Sequence, residues 1–283
     1  MGEEFVNFED ALMDIHKEIT DEKYKTIESG IPILDKYANG LQPGQIYFLG
    51  GRPGAGKTTL ALNIAWNVSQ KLEENDAVLF LSFEMAQRPI IKKLIGMICD
   101  DTKINNKTTK TNFKEITQPI IDNKKLVLVT SDRINLDNVN ADSINYFIER
   151  ANRSGLNVKY VIIDHLQALN LNPRVNKTEY ERLSTMCYDL QKLATHKQIN
   201  ILVLSQLGRN TKKTNPTTED LKGTGAIEQV ADVVTLLYDD NEFGRSGIVN
   251  LEIAKNRYGQ LAKEKYFIDK KTGKLSSTID LNL

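Results

Sequence analysis

The sequence contains few of the residues that cross-link or interrupt small folds. Among its 283 residues are two cysteines, seven prolines and one tryptophan. Cys99 and Cys187 are too few for a zinc cluster or a disulfide framework, and each lies in an apolar, helix-like stretch typical of a buried side chain. Seven prolines and 17 glycines also exclude collagen-like and low-complexity classes.

Net charge and long apolar runs are absent as well. The 37 basic residues balance 37 acidic ones, so a uniform electrostatic attraction to nucleic acid or anionic membranes is excluded. No apolar run approaches the roughly 18 residues that a membrane-spanning helix needs. The acidic N-terminal stretch has no apolar core of a secretory signal. We therefore expect a cytoplasmic protein without membrane contact.

The balanced charge is unevenly distributed. Residues 1–28 hold nine acidic side chains and three lysines, whereas residues 255–274 hold seven basic side chains and two acidic ones. Such asymmetry is common on solvated surfaces. It also suits a protein whose copies meet head to tail, and both interpretations stay open.

Strand-like and helix-like segments alternate from about residue 44. The apolar, β-branched runs are 45–49, 77–82, 126–130, 160–163, 201–205 and 233–238. They are continuous rather than alternating, which is typical of parallel strands buried on both faces. Helical periodicity follows the first run and precedes the fourth and fifth, which predicts an α/β layered fold with a mainly parallel sheet flanked by helices. The polar segment 102–125 lacks periodicity and is predicted to be a surface insertion, and 208–218 is predicted to be a basic loop.

The N-terminal stretch differs from the rest. Its apolar residues follow helical spacing in one narrow stripe: Phe5, Phe8, Leu12, Ile15 and Ile19. The pattern predicts an amphipathic helix that packs either on its own domain or on a neighbouring subunit. We expect two units, an N-terminal arm over residues 1–25 and the layered α/β domain over residues 26–283.

A phosphate-binding loop is the strongest motif. After a predicted strand the chain reads Gly51, Arg52, Pro53, Gly54, Ala55, Gly56, Lys57, Thr58 and Thr59, matching G-x-x-x-x-G-K-[ST]. An amphipathic helix follows, so backbone N–H groups are expected to surround the phosphates of ATP at the helix N-terminus. Lys57 is expected to reach the β- and γ-phosphates, and Thr58 to bind Mg²⁺.

Three further strand ends carry polar side chains suited to this loop. Asp164 ends a four-residue apolar run and is predicted to lie on the Mg²⁺ side of the site. Glu84 follows the strand after the loop helix and is predicted to orient the attacking water. Gln206 ends another buried strand and is predicted to sense the γ-phosphate. His165, beside Asp164, is interpreted as a structural residue or one that supports the site from behind its catalytic groups, and not as a catalytic group.

The set of motifs resembles the RecA-like motor domain of DnaB-type replicative helicases. The similarity runs through 40–44, 51–58, 82–85, 162–167, 204–209, 220–232 and 254–257, in that family's order. It implies a homo-hexameric ring around single-stranded DNA, with ATP bound between subunits. Lys255 and Arg257 match a pair that acts on the neighbour's nucleotide, with Arg257 as the arginine finger.

The resemblance also implies DNA contacts. Lys222, Gly223 and Gly225 match the family's pore loop, although arginine and glutamate are usual where Lys222 and Gly223 stand. Three basic residues of the preceding loop are expected to add phosphate contacts: Arg209, Lys212 and Lys213. The N-terminal helical domain of full-length members has no counterpart, and residues 5–22 resemble the linker helix. A loader or primase partner is an expectation of the resemblance.

Two alternative functions remain open. A RadA-like recombination ATPase shares a string similar to residues 255–259, but this sequence lacks a four-cysteine zinc module and a protease-like domain. A regulatory RecA-fold ATPase acting on a protein partner suits the neutral charge. The basic loop region 209–225 favours the DNA-unwinding motor.

Overall fold

The computed structural model describes residues 7–20, 26–99, 104, 107–135, 139–169, 178–208, 215–222, 224–239 and 247–278. The helices in this part of the chain are α1 (Phe8–Thr20), α2 (Pro32–Tyr37), α3 (Lys57–Lys71), α4 (Gln87–Ile98), α5 (Lys110–Ile116), α6 (Gln118–Asp122), α7 (Ala141–Arg153), α8 (Glu179–Lys197) and α9 (Thr224–Val230). The strands are β1 (Ile46–Gly51), β2 (Asp76–Ser82), β3 (Leu126–Thr130), β4 (Asn157–Asp164), β5 (Asn200–Gln206), β6 (Val233–Tyr238), β7 (Ile248–Asn256), β8 (Ala262–Ile268) and β9 (Leu275–Ser277).

The strands form a single sheet in the order β3-β2-β4-β5-β1-β6-β7-β8-β9. The first six strands of this order, from β3 across to β6, are parallel. Strands β7, β8 and β9 continue the sheet with antiparallel pairing. The carboxyl ends of β2, β4, β5 and β1 therefore meet at one edge. In open α/β sheets this edge is where ligands bind.

Each face of the sheet carries its own apolar core. Ile46 and Phe48 point to the side covered by α7 and α8, whereas Tyr47 and Leu49 point to the side covered by α3 and α4. The alternation follows from the two-residue period of a strand. Because both faces are covered, the central strands are continuous apolar runs, as the sequence predicts.

The predicted α/β class and the six predicted strands are confirmed, with one difference in burial. Strand β3 is only half-buried over most of its length because it is the sheet edge and has a neighbour on one side only. The insertion over 102–125 contains two short surface helices, α5 and α6, where the polar composition gave no helical period. Helix α5 begins with Thr109 accepting a hydrogen bond from the Asn112 N–H, a local cap that periodicity does not detect.

Helix α1 forms where the apolar stripe predicts it. Phe8 is 81% exposed, and Leu12 and Ile15 are also exposed. Phe5 lies outside the described residues. The side chain of Ile19 also lies outside the described part. In the single chain the three described side chains of the stripe are therefore not covered by the domain that follows them. Among the described helices, none combines the length and apolarity required to cross a membrane.

Candidate nucleotide-binding site

The phosphate-binding loop joins β1 to α3 at the carboxyl edge of the sheet. Gly54 and Gly56 have φ of 80° and 101°, values in the left-handed region that residues with a Cβ rarely adopt. A Cβ on Gly56 would also lie 2.9 Å from Ile268 Cδ1. These two glycines allow the turns by which the loop reaches the N-terminus of α3, whose positive end favours an anion.

Lys57, the first residue of α3, is almost fully buried beneath this loop. Its Nζ donates hydrogen bonds to the carbonyl oxygens of Gly51 (2.7 Å) and Arg52 (3.0 Å). Burial lowers the pKa of Lys57, and the nearby carboxylates of Asp164 and Glu84 oppose that shift. The ammonium is thus held at the loop by two carbonyl oxygens.

Asp164 ends β4 next to the start of α3. Thr58 Oγ1 donates to Asp164 Oδ2 across 2.7 Å, although the two residues are 106 positions apart in the chain. Asp164 is 1% exposed, and burial raises the pKa of its carboxyl group, partly offset by the Thr58 hydrogen bond. Mg²⁺ binds oxygen ligands at ~2.1 Å in octahedral geometry, so adjacent ligands lie about 3 Å apart. The donor set of Thr58 and Asp164 fits that ion.

Glu84 lies just beyond β2, and its side chain is 55% exposed. The turn that carries it is held by two hydrogen bonds: the Phe83 N–H donates to Asp164 O (2.7 Å), and the Met85 N–H donates to Ser82 Oγ (3.1 Å). Ligand atoms of Glu84, Asp164 and His165 lie within 4.8 Å of one another. Strand pairing of β2 with β4 thus brings the predicted water-orienting carboxylate to the predicted metal carboxylate.

His165 contacts both Glu84 and Gln206. Its Nδ1 lies 2.9 Å from Glu84 Oε2, a close polar contact whose angle falls short of a hydrogen bond. Its Nε2 lies 3.3 Å from Gln206 Nε2. Gln206 itself ends β5 and pairs with Gly51, the first residue of the phosphate-binding loop. Glu84 and Gln206 therefore both lie against His165, the residue that follows Asp164.

Beyond β5 the chain passes directly to the predicted DNA loop. Lys222 N–H donates to Gln206 O (3.0 Å), and Leu207 forms a bridge with Leu221. Gly225 lies in the first turn of α9, close to the Tyr180 hydroxyl. Four predicted DNA-contacting residues lie outside the described residues: Arg209, Lys212, Lys213 and Gly223.

Lys255 and Arg257 lie at the other end of the strands, where the parallel strands begin. Lys255 pairs with Val234 near the start of β6, and its Nζ donates to Glu228 O (2.5 Å). Burial, followed by the charge of Arg257, lowers the pKa of Lys255. Arg257 Nη1 lies 3.3 Å from Asp232 Oδ1, and its Nη2 donates to Gln229 O (2.8 Å). The chain therefore does not bring this pair to its own phosphate-binding loop.

A cavity of about 430 Å³ adjoins the loop on the side of the β8–β9 turn. Its wall includes Gly54, Thr59, Lys93, Asp269 and Gly273. Thr59 is buried, and its Oγ1 accepts a hydrogen bond from Lys93 Nζ (3.1 Å). The volume falls in the range of small-molecule sites.

Comparison with known proteins identifies the family. The sequence model described as "DnaB-like helicase C terminal domain" matches residues 26–277. The chain belongs to this family. Replicative DNA helicase DnaB of Geobacillus stearothermophilus is 28% identical over 275 residues, covering 90% of this chain and 58% of the relative. Replicative DNA helicase DnaC of Bacillus subtilis matches with the same identity and coverage. The chain thus spans 58% of the length of these relatives.

Solved structures support the same assignment. The ATPase domain of G40P superposes with a TM-score of 0.79 at 26% identity, over 97% of this chain and 99% of that chain. A DnaB-like replicative helicase, solved in a study of its interactions with primase, gives a TM-score of 0.76 at 25% identity, over 96% of this chain and 67% of that chain. The RecA-like fold predicted from the motifs is confirmed, and the match favours the helicase interpretation over the recombination and regulatory alternatives.

Three residues of the DnaB-like site have partners that sequence reasoning does not identify. For His165 the sequence predicts a structural role or one that supports the site, and the structure shows the two site residues that it contacts. Gln167 accepts from the Gln206 N–H (3.2 Å) and donates to Ser205 Oγ (3.0 Å), so it holds the end of β5. Asp232 anchors Arg257. All three fall inside motifs that the resemblance uses, but their partners are 25 to 81 residues away in the chain.

Proposed function

We propose that this chain is the ATP-driven motor of a DNA helicase, which moves along single-stranded DNA and separates duplex strands during DNA replication. The observation that carries the proposal is one continuous arrangement. The phosphate-binding loop, the Thr58–Asp164 pair and Glu84 meet at one sheet edge, and β5 leads from that edge to the loop of Lys222.

Each residue at this edge has a part in ATP hydrolysis. The loop N–H groups and Lys57 bind the β- and γ-phosphates, and Thr58 and Asp164 hold Mg²⁺. The bound ion would neutralise charge that builds up on the phosphate oxygens. Glu84 orients a water molecule against the γ-phosphate and accepts its proton. Its partial exposure leaves its carboxylate accessible to that water.

The cavity beside the loop suits the rest of the nucleotide. Gly54, Gly56 and Thr59 lie in the cavity wall, so a nucleotide bound at the phosphate-binding loop would extend into the cavity. A volume of about 430 Å³ accommodates a ribose and a base. We assign the β8–β9 turn, which closes the cavity, to contact with the ribose and base.

Lys255 and Arg257 complete the site of a neighbouring subunit in this proposal. Both lie at the sheet edge opposite the phosphate-binding loop, so their charges act on a nucleotide only across an interface. A rigid guanidinium supplied in trans links hydrolysis to subunit contact. Asp232 and Gln229 hold Arg257 at that edge. A homo-hexameric ring satisfies this geometry for every subunit.

The exposed stripe of α1 is assigned to the same assembly. Phe8, Leu12 and Ile15 present an apolar surface that a second copy of the chain would cover. The acidic N-terminal residues and the basic segment 255–274 would then lie on adjoining subunits. The ring also concentrates Lys222, together with the basic residues of 208–218, around single-stranded DNA despite the zero net charge. A primase or loader is a further expected partner.

The test is ATP hydrolysis with and without single-stranded DNA, followed by strand separation on a forked duplex. We expect DNA to stimulate hydrolysis and the fork to open only with ATP and Mg²⁺. Lys57→Ala and Glu84→Gln should each abolish turnover. Glu84→Gln should still bind nucleotide, because Glu84 contacts the water and not the phosphates. Absence of both DNA stimulation and strand separation would refute the proposal.

A further inference from the structure

His165 is a buried side chain between two groups of the proposed hydrolytic site. It is 9% exposed, with Nδ1 2.9 Å from Glu84 Oε2 and Nε2 3.3 Å from Gln206 Nε2. The tautomer with its proton on Nδ1 serves both contacts, since Nδ1–H then faces a carboxylate and Nε2 accepts from the amide. A small rotation of the exposed Glu84 side chain completes the first contact as a hydrogen bond.

Gln206 is connected in turn to the segment proposed to hold DNA. Its carbonyl oxygen accepts from the Lys222 N–H (3.0 Å), and the Gly208 N–H donates to Asp220 O (2.7 Å). Together with the Leu207–Leu221 bridge, these bonds tie residues 206–208 to 220–222 as a short antiparallel pair. A displacement at Lys222 therefore reaches Gln206 through two backbone segments and no side chain.

The turn that carries His165 is fastened to the same strand end. Gln167 Oε1 accepts from the Gln206 N–H (3.2 Å), and Gln167 Nε2 donates to Ser205 Oγ (3.0 Å). The His165 turn and the end of β5 thus share both a side-chain contact and a backbone contact. The turn that carries His165 is therefore bonded to the same strand end that pairs with the Lys222 segment.

We propose that His165 is a positioning residue that couples single-stranded DNA at the Lys222 loop to the orientation of the Glu84 carboxylate, through Gln206. This inference rests on the proposed function. His165 sets where Glu84 holds its water, and Gln206 reports the position of the DNA loop to His165. Among the described residues no hydrogen bond or ion pair joins the imidazole to the phosphate-binding loop, so its part is in turnover and in DNA stimulation, not in nucleotide affinity.

The experiment compares His165→Ala and His165→Asn with the parent chain in steady-state ATP hydrolysis, with and without oligo-dT. Because a misplacement of about 1 Å at a catalytic group can cost up to ~100-fold, H165A should lower kcat at least about tenfold. KM for ATP should stay within about twofold, since binding is untouched. H165N keeps an amide near the Nδ1 position but nothing near Nε2. It should recover the DNA-independent kcat yet show no stimulation by oligo-dT.

His196→Ala, which removes an exposed histidine on α8, is the matched control and should behave as the parent. Melting temperatures and binding of a fluorescent ATP analogue are measured for every variant. If oligo-dT still stimulates ATP hydrolysis in both His165 variants, the inference is overturned and the proposed function stands. A parallel loss of kcat, nucleotide binding and melting temperature in both variants also overturns the inference, because it marks a structural role. A parent chain that shows neither DNA-stimulated hydrolysis nor strand separation overturns the proposed function, and the inference with it. A parent chain that separates strands without DNA-stimulated hydrolysis overturns the inference and leaves the proposed function standing.

Discussion

A mixture of two inactive variants should hydrolyse ATP if the site is shared between subunits. Lys57→Ala removes the phosphate-binding lysine but keeps Arg257, whereas Arg257→Ala does the opposite. Each proposed ATP site has a nucleotide side, which supplies Lys57, and an opposite side on the neighbouring subunit, which supplies Arg257. In a mixed ring, an R257A subunit can supply Lys57 while its K57A neighbour supplies Arg257. Such an interface is intact, although neither chain alone forms one.

The strand register supports the separation on which this prediction depends. Gly51 at the phosphate-binding loop pairs with Leu237 near the end of β6, and Val233 at the start of β6 pairs with Asn256. At about 3.3 Å per residue, Arg257 therefore lies roughly 15–20 Å along the sheet from Gly51. That distance exceeds the length of an arginine side chain, and Asp232 holds the guanidinium at the far edge.

The expected recovery follows from random assembly. Each variant alone should lose on the order of 10³-fold in kcat. In an equal mixture, half of the nucleotide sides and half of the opposite sides are intact, so about a quarter of the interfaces carry both groups. Phosphate release from pre-mixed, subunit-exchanged protein should reach about a quarter of the parent rate at the same total concentration.

The matched control mixes K57A with Asp164→Asn. Both changes lie on the nucleotide side of the site, so every interface keeps a defect and no activity should return. Recovery in this control, or none in the test mixture once subunit exchange is verified, would contradict the assignment of Arg257 to a neighbour's site. Substantial activity of R257A alone would contradict it as well.

Two further predictions concern stability. Burial raises the pKa of Asp164, so its contribution to stability is fully present below the unfolded value of 3.8 and is lost as pH rises through the folded pKa. The Asp164→Asn variant should therefore have a higher melting temperature than the parent near pH 7, and this difference should vanish at low pH. Its Mg²⁺-dependent ATP hydrolysis should fall. A lower melting temperature than the parent at pH 7 would contradict this prediction. Asp232→Ala leaves the Ile46 N–H, which donates to Asp232 Oδ2 across 2.9 Å, unpaired in the core. Urea unfolding should show a loss of about 2 kcal/mol, and a change below about 0.5 kcal/mol would show that another group takes over this bond.

Sequence motifs alone predict those site residues whose chemistry requires a fixed number of residues between them or a fixed place at the end of a strand. The phosphate-binding loop needs glycines before its lysine within one turn, so it could be predicted from eight consecutive residues. The apolar run before it predicted β1, and the helical period after it predicted α3. Asp164 and Gln206 could be placed because buried parallel strands are continuous apolar runs and their carboxyl ends share an edge. Lys255 and Arg257 came only from a family resemblance, since a basic pair on a strand has no local signature.

The sequence by itself determined the layered α/β class, the order of the strands along the chain and the carboxyl edge as the site, because those depend on periodicity and turn chemistry within short windows. Only the tertiary structure decided which side chains meet. The 2.7 Å bond between Thr58 and Asp164 spans 106 residues, and the contacts of His165 and Asp232 depend on which strands are neighbours in the sheet. Strand order and register are set by packing over the whole core, so no local pattern carries them.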